Sequence, residues 1–228
     1  MMKKPGILTV LLLAAVLPLA ANGSAEPAAA GESDDKGKIE AVITYLEGRV
    51  AVDSIIAETG DAVPPGSKVS TGSNSFCEIT FGSQNIFRVE ENTITTIAIS
   101  RDSKDIQVRK GAIDAIFDRL SVFGTTDDEF QIRTPSMVAG IRGTVFYIKV
   151  EDPDTTYVCT CYGTVHQESL DGSTEQDVTA YHHKAYRYIR TESGVEIVPA
   201  GLDFHDDEAM EGLGEKINVT IPWGTPSE

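Results

Sequence analysis

Apolar and polar positions alternate along this chain over short stretches, and turn residues interrupt the alternation every 8–14 residues or so, at roughly the spacing of an all-β domain. AVITYLEGRVAV (41–52), SFCEITF (75–81), NIFRVEE (85–91), TITTIAI (93–99) and DIQVRKGAIDAIF (105–117) each read as a strand. So do EFQIRT (129–134), GTVFYIKV (143–150), TTYVCTCYGTV (155–165) and VEIVPA (195–200). β-Branched side chains dominate these runs, and Gly, Pro, Asn and Asp fill the gaps between them. No long stretch before residue 200 carries a helical period. The pattern predicts an all-β sandwich or roll of short antiparallel strands. One short helix is expected at DDEAMEGL (206–213), capped by Asp203 or Asp206, with carboxylates in its first turn and Gly212 and Gly214 limiting it to about two turns. Beyond Ile217 the tail reads as an extended strand with an irregular end. Gly-x-Val/Ile recurs at Gly48, Gly111 and Gly163, where the glycines read as turn residues that open strands.

The amino-terminal segment follows other rules. Lys3 and Lys4 precede an apolar run from Ile7 to Ala21, and Gly23-Ser24-Ala25 supplies the small residues that a signal peptidase inspects. The run is broken by Pro18 and falls short of the roughly 20 apolar residues a membrane span needs. Residues 1–25 are therefore expected to be a cleaved signal peptide, which directs the chain to the periplasm with no membrane span left after cleavage. Residues 26–38, EPAAAGESDDKGK, lack bulky apolar side chains and read as a flexible leader. A β domain over 39–166 and a carboxy-terminal extension over 167–228 complete the expected organisation.

Composition narrows the function. The 228 residues include 19 Lys and Arg against 35 Asp and Glu, a formal net charge of −16. No window clusters enough Lys and Arg to neutralise a phosphate backbone, so nucleic acid is excluded as a partner and an anionic membrane surface is disfavoured. With 41% hydrophobic residues the chain can build a core, and with three cysteines it cannot be a disulfide scaffold.

One block stands out, Thr134-Pro135-Ser136-Met137-Val138-Ala139-Gly140-Ile141-Arg142-Gly143-Thr144. Thr134-Pro135 forces an extended entry, and the two glycines permit backbone angles that side chains forbid. Arg142 is thereby held at a tight corner. It serves either as an internal clamp on the corner or, with Gly143 and Thr144, as a binding position. Upstream lie Gly48-x-Val50, Gly60-Asp61-Ala62-Val63-Pro64-Pro65-Gly66, Val69-Ser70-Thr71-Gly72-Ser73-Asn74-Ser75 leading to Phe81, and Val108-Arg109-Lys110-Gly111; downstream comes Gly163-Thr164-Val165. In this order and spacing, over residues 41 to about 165, the chain resembles the FecR family.

That resemblance implies an all-β, non-catalytic sensor-type domain of the periplasm. In signalling members of the family the domain follows a cytoplasmic anti-sigma segment and one membrane span, and relays a signal from an outer-membrane iron–siderophore transducer to a sigma factor. Here a signal peptide occupies the place of that segment and span, so direct anti-sigma action is not expected. The expectation is a stand-alone exported form that binds an envelope protein or a small ligand, linked to metal or siderophore sensing, through an exposed β edge or the Arg142 corner.

The carboxy-terminal third holds the remaining chemistry. Cys159 and Cys161 alternate on one strand and so face the same side of a sheet. His182, His183 and His205 follow; with His166 they are all the histidines. Two thiolates and two imidazoles suit tetrahedral zinc(II), and soft sulfur equally suits copper(I). Of the neighbouring His182 and His183, one is expected to ligate, because an extended backbone sends them opposite ways. A strained Cys159–Cys161 disulfide or redox pair, inert buried thiols, and simple surface histidines are the alternative readings. Cys77 shares a face with Ser75, Ile79 and Phe81 and reads as a buried thiol. No nucleophile elbow, zinc-protease helix or phosphate loop is present, so no catalytic residues are assigned. The acidic runs Asp127-Asp128-Glu129 and Asp206-Asp207-Glu208 read as solvated loops.

Overall fold

A computed structural model describes Met2, residues 39–118 and residues 130–224. The expected signal peptide, the leader and the acidic run at 127–129 lie outside the described residues. The compact unit that begins at Lys36 is described below.

In chain order the strands are β1 (Ala41–Glu47), β2 (Val50–Val52), β3 (Ile55–Ile56), β4 (Ala62–Val63), β5 (Ser67–Thr71), β6 (Phe76–Phe81), β7 (Asn85–Val89) and β8 (Ile94–Ser100). They continue with β9 (Ser103–Phe117), β10 (Phe130–Arg133), β11 (Met137–Ile141), β12 (Thr144–Val150), β13 (Thr155–Ser169), β14 (Glu175–Ala180), β15 (Lys184–Thr191) and β16 (Gly194–Ala200). A single helix among the described residues, α1 (Asp207–Glu215), follows. The all-β expectation with one late helix holds. Two strands are far from short, and one pair, β9 with β10, is parallel.

Hydrogen bonding sorts the strands into two sheets. Sheet I runs β4-β1-β6-β7-β9-β12-β13-β15-β16. Sheet II runs β3-β2-β5-β8-β9-β10-β11-β13-β14. β9 and β13 belong to both. Residues 103–110 of β9 pair in sheet II and residues 111–117 in sheet I. β13 pairs in sheet I over 155–162 and in sheet II over 163–169. Each strand bends at the changeover, on Gly111 (φ +84°) and Gly163 (φ +96°). The recurring Gly-x-Val/Ile motif therefore marks corners between layers. At Gly48 (φ +72°) the chain likewise passes from β1 in sheet I to β2 in sheet II. Two of these three glycines lie inside strands instead of opening them, and the reason is close approach. A Cβ on Gly111 would sit 2.1 Å from Thr93 Oγ1, and one on Gly163 would sit 2.9 Å from Thr144 Cγ2.

The sheets close face to face on one apolar core. Phe81 and Phe117 of sheet I meet Phe130 of sheet II, with ring centroids 5.6 and 4.7 Å apart. Cys77, Ile79 and Phe81 are fully buried there, as alternation on β6 requires. Sheet I has a second apolar face, formed by Ile86, Ala112, Ile116, Val145, Tyr147, Tyr157, Cys159 and Cys161, and covered by Met210 and Leu213 of α1 with Ile217 and Ile221. Asp206 caps the helix, its Oδ1 accepting from Ala209 N at 2.9 Å. The helix continues through both glycines to Glu215, because Gly214 lets it approach Val219 and Ile116 more closely than a side chain would. The tail after Ile217 is not a strand: it turns, and its Gly224 N donates to Tyr181 O at 2.9 Å. The position taken as the boundary of the extension, 166/167, falls within β13, and β14–β16 extend both sheets.

Burying the outer face of sheet I traps charge. Register aligns Glu78, Arg88, Asp114, Tyr147 and Cys159 in one cross-strand row. Glu78 is wholly buried and accepts from Arg88 Nε (3.2 Å), Arg88 Nη2 (2.8 Å) and Lys216 Nζ, which reaches it from beyond α1. This row leads to Cys159.

Candidate metal centre

Alternation on β13 turns Cys159 and Cys161 toward α1, with their sulfurs 3.9 Å apart and both buried. Their same-face placement is as the sequence predicts, and no disulfide joins them. Two histidines complete the cluster from separate segments. His183 lies in the turn between β14 and β15, and its N donates to Cys161 O at 2.9 Å, so the turn is pinned over the thiols. Its backbone is left-handed, φ +46°, which aims the ring inward and sets Nδ1 3.6 Å from Cys159 Sγ. His205 immediately precedes the helix cap and places Nε2 3.2 Å from Cys161 Sγ. The ring of Tyr147 stacks on it, centroids 4.5 Å apart and 9° from parallel.

Two sulfurs and two nitrogens, all within 4.8 Å of one another, thus converge under the helix. Zinc–sulfur and zinc–nitrogen bonds of about 2.3 and 2.0 Å imply tetrahedral ligand separations of about 3.3–3.8 Å, close to the three distances above. The donor set fits zinc(II) or copper(I) by softness and by geometry. Side-chain chemistry agrees. The hydrogen bond from Cys161, helped by those from His183 and His205, outweighs burial and lowers the Cys159 thiol to about 4, while burial raises Cys161. The geometry agrees with that direction, Cys161 Sγ donating to Cys159 Sγ.

The surroundings orient the imidazoles. His183 Nε2 lies 2.7 Å from Asp207 Oδ1, an arrangement that fixes the ring and leaves Nδ1 facing the sulfurs. Hydrogen bonding to His183 and then to His182 lowers the Asp207 carboxyl. His183 itself is raised, since its bonds to Cys159 and Asp207 together outweigh a larger single opposing effect of burial. His205 Nδ1 is buried with no partner among the described residues, and so is Asp114 Oδ1; both residues line one polar cavity of about 420 Å³. Burial first, and then Glu90, raise Asp114 well above the usual carboxylate range against the pull of Arg88.

The five sequence candidates therefore separate. Cys159, Cys161, His183 and His205 come together. His182 stands outside, half exposed, with Nε2 2.9 Å from Asp207 Oδ2. His166 lies in sheet II, where Nδ1 meets Asp177 Oδ1 at 2.8 Å. At the other predicted position, Arg142 and Gly143 are exposed at the corner between β11 and β12, whereas Thr144 is buried. Arg142 lines a pocket of about 360 Å³ together with Gly140, Thr164, His166 and Asp177. Sequence reasoning missed Asp207, taken as a solvated loop acid, and Trp223, whose ring lies 5.1 Å from both His182 and His183 and whose Nε1 donates to Glu211 Oε1 at 2.8 Å. For Asp207, its place two residues after a candidate ligand was the only available signal.

Comparison with known proteins returns the family suggested by the sequence. Residues 67–166 match the family model described as FecR protein, so this stretch, from β5 to the sheet II half of β13, is a FecR domain. β1 and β2 precede the matched stretch and pair into both of its sheets. Two crystal structures from Parabacteroides distasonis ATCC 8503, each described as a "putative anti-sigma factor", are similar at 14% identity with TM-scores of 0.48 and 0.47. Each alignment covers 60% of this chain and 60% of the other. No curated protein matches. Cys159 and Cys161 fall within the matched stretch; His183 and His205 fall after it.

Proposed function

We propose, with the FecR domain at 67–166 as the premise, that this chain is a non-catalytic periplasmic protein of envelope signalling whose carboxy-terminal layer is held in place by one zinc(II) or copper(I) ion. One observation carries the metal reading: two sulfurs and two imidazole nitrogens from three separate chain segments converge within 4.8 Å. Cys159 and Cys161 would hold the ion from sheet I, His183 from a turn, and His205 from the start of the helical cap. Bound there, the ion supplies cross-linking of these segments, since closed four-ligand sites contribute folding energy. Export is supported by the amino-terminal pattern, and a signalling role by the FecR match together with the absence of a recognisable catalytic motif in the sequence. The partner is an envelope protein or a small ligand. Among the described residues β14 and β16 each pair on one side only, which suits strand addition.

The test is elemental analysis of the mature protein, purified from the periplasm without chelator, with a free-thiol count. One zinc or copper per chain, lost in the Cys159→Ser/Cys161→Ser double variant, is the expected result. No metal and three free thiols would remove the centre and leave an interaction module. No metal and one free thiol would point to a Cys159–Cys161 disulfide.

A further inference from the structure

His183 belongs to two ligand sets. Its Nδ1 faces the thiols, and its Nε2 faces a group made of His182 Nε2 and the Asp207 carboxylate, all three within 4.8 Å of one another. Orienting His183 requires only the bond from Nε2 to Asp207 Oδ1. His182 adds nothing to that task, yet its Nε2 lies 3.1 and 2.9 Å from the two oxygens of the same carboxylate. Neighbouring residues in an extended chain would point apart; here the left-handed backbone of His183 brings both rings to one side, 4.9 Å apart. Trp223 packs on both rings and is itself fixed by Glu211. The set is preorganised on three elements.

We propose that His182, Asp207 and His183 form a second, outer metal position that takes an exchangeable divalent cation such as nickel(II), cobalt(II) or zinc(II), with His183 bridging it to the inner ion. The bridge rests on the inner centre proposed above; the outer ligands themselves do not. Two nitrogens and a carboxylate oxygen suit borderline divalent ions, whereas the inner sulfurs suit soft ones. Exposure separates the two roles. The His183 side chain is 9% exposed, while those of His182 and Asp207 are 52% and 44% exposed. The inner site is closed and the outer one keeps positions open to water or to an incoming ligand. On binding, the cation replaces the Nε2 proton of His183, which passes to solvent; no electron moves. The inner ion then holds the fold while the outer position follows the supply of divalent metal. Asp207 starts α1, so outer occupancy acts directly on the helical cap.

The experiment uses the untagged mature chain loaded with one equivalent of zinc, desalted, and titrated with nickel(II) by calorimetry and by fluorescence of its single tryptophan. The expected result is one further nickel per chain, with quenching of Trp223 and no release of zinc. His182→Ala should weaken nickel binding at least tenfold while keeping the zinc, and His166→Ala should change neither. No saturable nickel binding, nickel uptake matched by zinc release, or binding unaffected by His182→Ala would each overturn the proposal. Failure to retain zinc would refute the inner centre and the bridge, and His182-dependent nickel binding would still decide the outer ligands by itself.

Discussion

At the scale of the residue, the corners and the buried charges are the sensitive points. Gly111 combines a positive φ with a Cβ position already filled by Thr93. Gly111→Ala is expected to cost about 3 kcal/mol, from backbone strain and overpacking together. Gly60 has φ +99° and nothing within 4 Å of its would-be Cβ, so Gly60→Ala should cost only about 1 kcal/mol. Urea unfolding of both variants checks this, and equal losses would contradict the account of the corner. Glu78 offers a second contrast. Glu78→Ala leaves Arg88 without its buried partner and should cost about 4 kcal/mol. Lys216→Ala leaves the Glu78–Arg88 pair intact at a partly exposed lysine and should cost about 1 kcal/mol or less. Neither effect is legible in the sequence, where Glu78 stands on the polar side of an alternating strand. Its burial depends on a helix that starts 129 positions later.

At the scale of the element, periodicity reported orientation well and length poorly. Alternation placed Cys159 and Cys161 on one face and Cys77 on the core face, because a strand's side-chain period is a local property. It split β13 short of its end and joined β1 to β2, because a strand that bends between sheets keeps its alternation while changing partners. The pattern does not predict β5, β11, β14 or β15: β5 and β14 have little apolar content and are held extended by their partners, whereas β11 is apolar throughout and lies in the glycine-bearing block that reads as a corner. The helix was legible through its cap. Asp206→Ala should destabilise the protein by about 1 kcal/mol, as loss of an N-cap does, without changing the metal content, since Asp206 is not a ligand; calorimetry with elemental analysis reads both. A loss of metal in this variant would mean that His205 is positioned by the cap itself.

At the scale of the whole molecule, a sandwich, a second apolar face and a helical cap are stacked on sheet I, and the sulfur–imidazole cluster lies where the last two meet. Metal removal is therefore expected to act on one layer. With free zinc at a hundred times its dissociation constant, binding adds about 2.7 kcal/mol to stability. A chelator should remove that increment and shift the melting temperature with zinc concentration. Amide exchange should accelerate at 181–183 and 201–224 while β6, β7 and the sheet I half of β9 remain protected; uniform acceleration would argue against a local clamp. The sequence by itself determined the fold class, the FecR resemblance, the shared face of the two thiols and the presence of one short late helix, all of which are set by residues close together in the chain or by short motifs in order; that Asp206 and not Asp203 caps the helix came from the structure. Only the tertiary structure decided that His183 and not His182 turns toward the thiols, that His205 joins them across 44 positions, and that Asp207 serves both histidines. Those outcomes depend on strand register, on one left-handed turn residue and on where the helix docks, and no local pattern encodes contacts made at that distance.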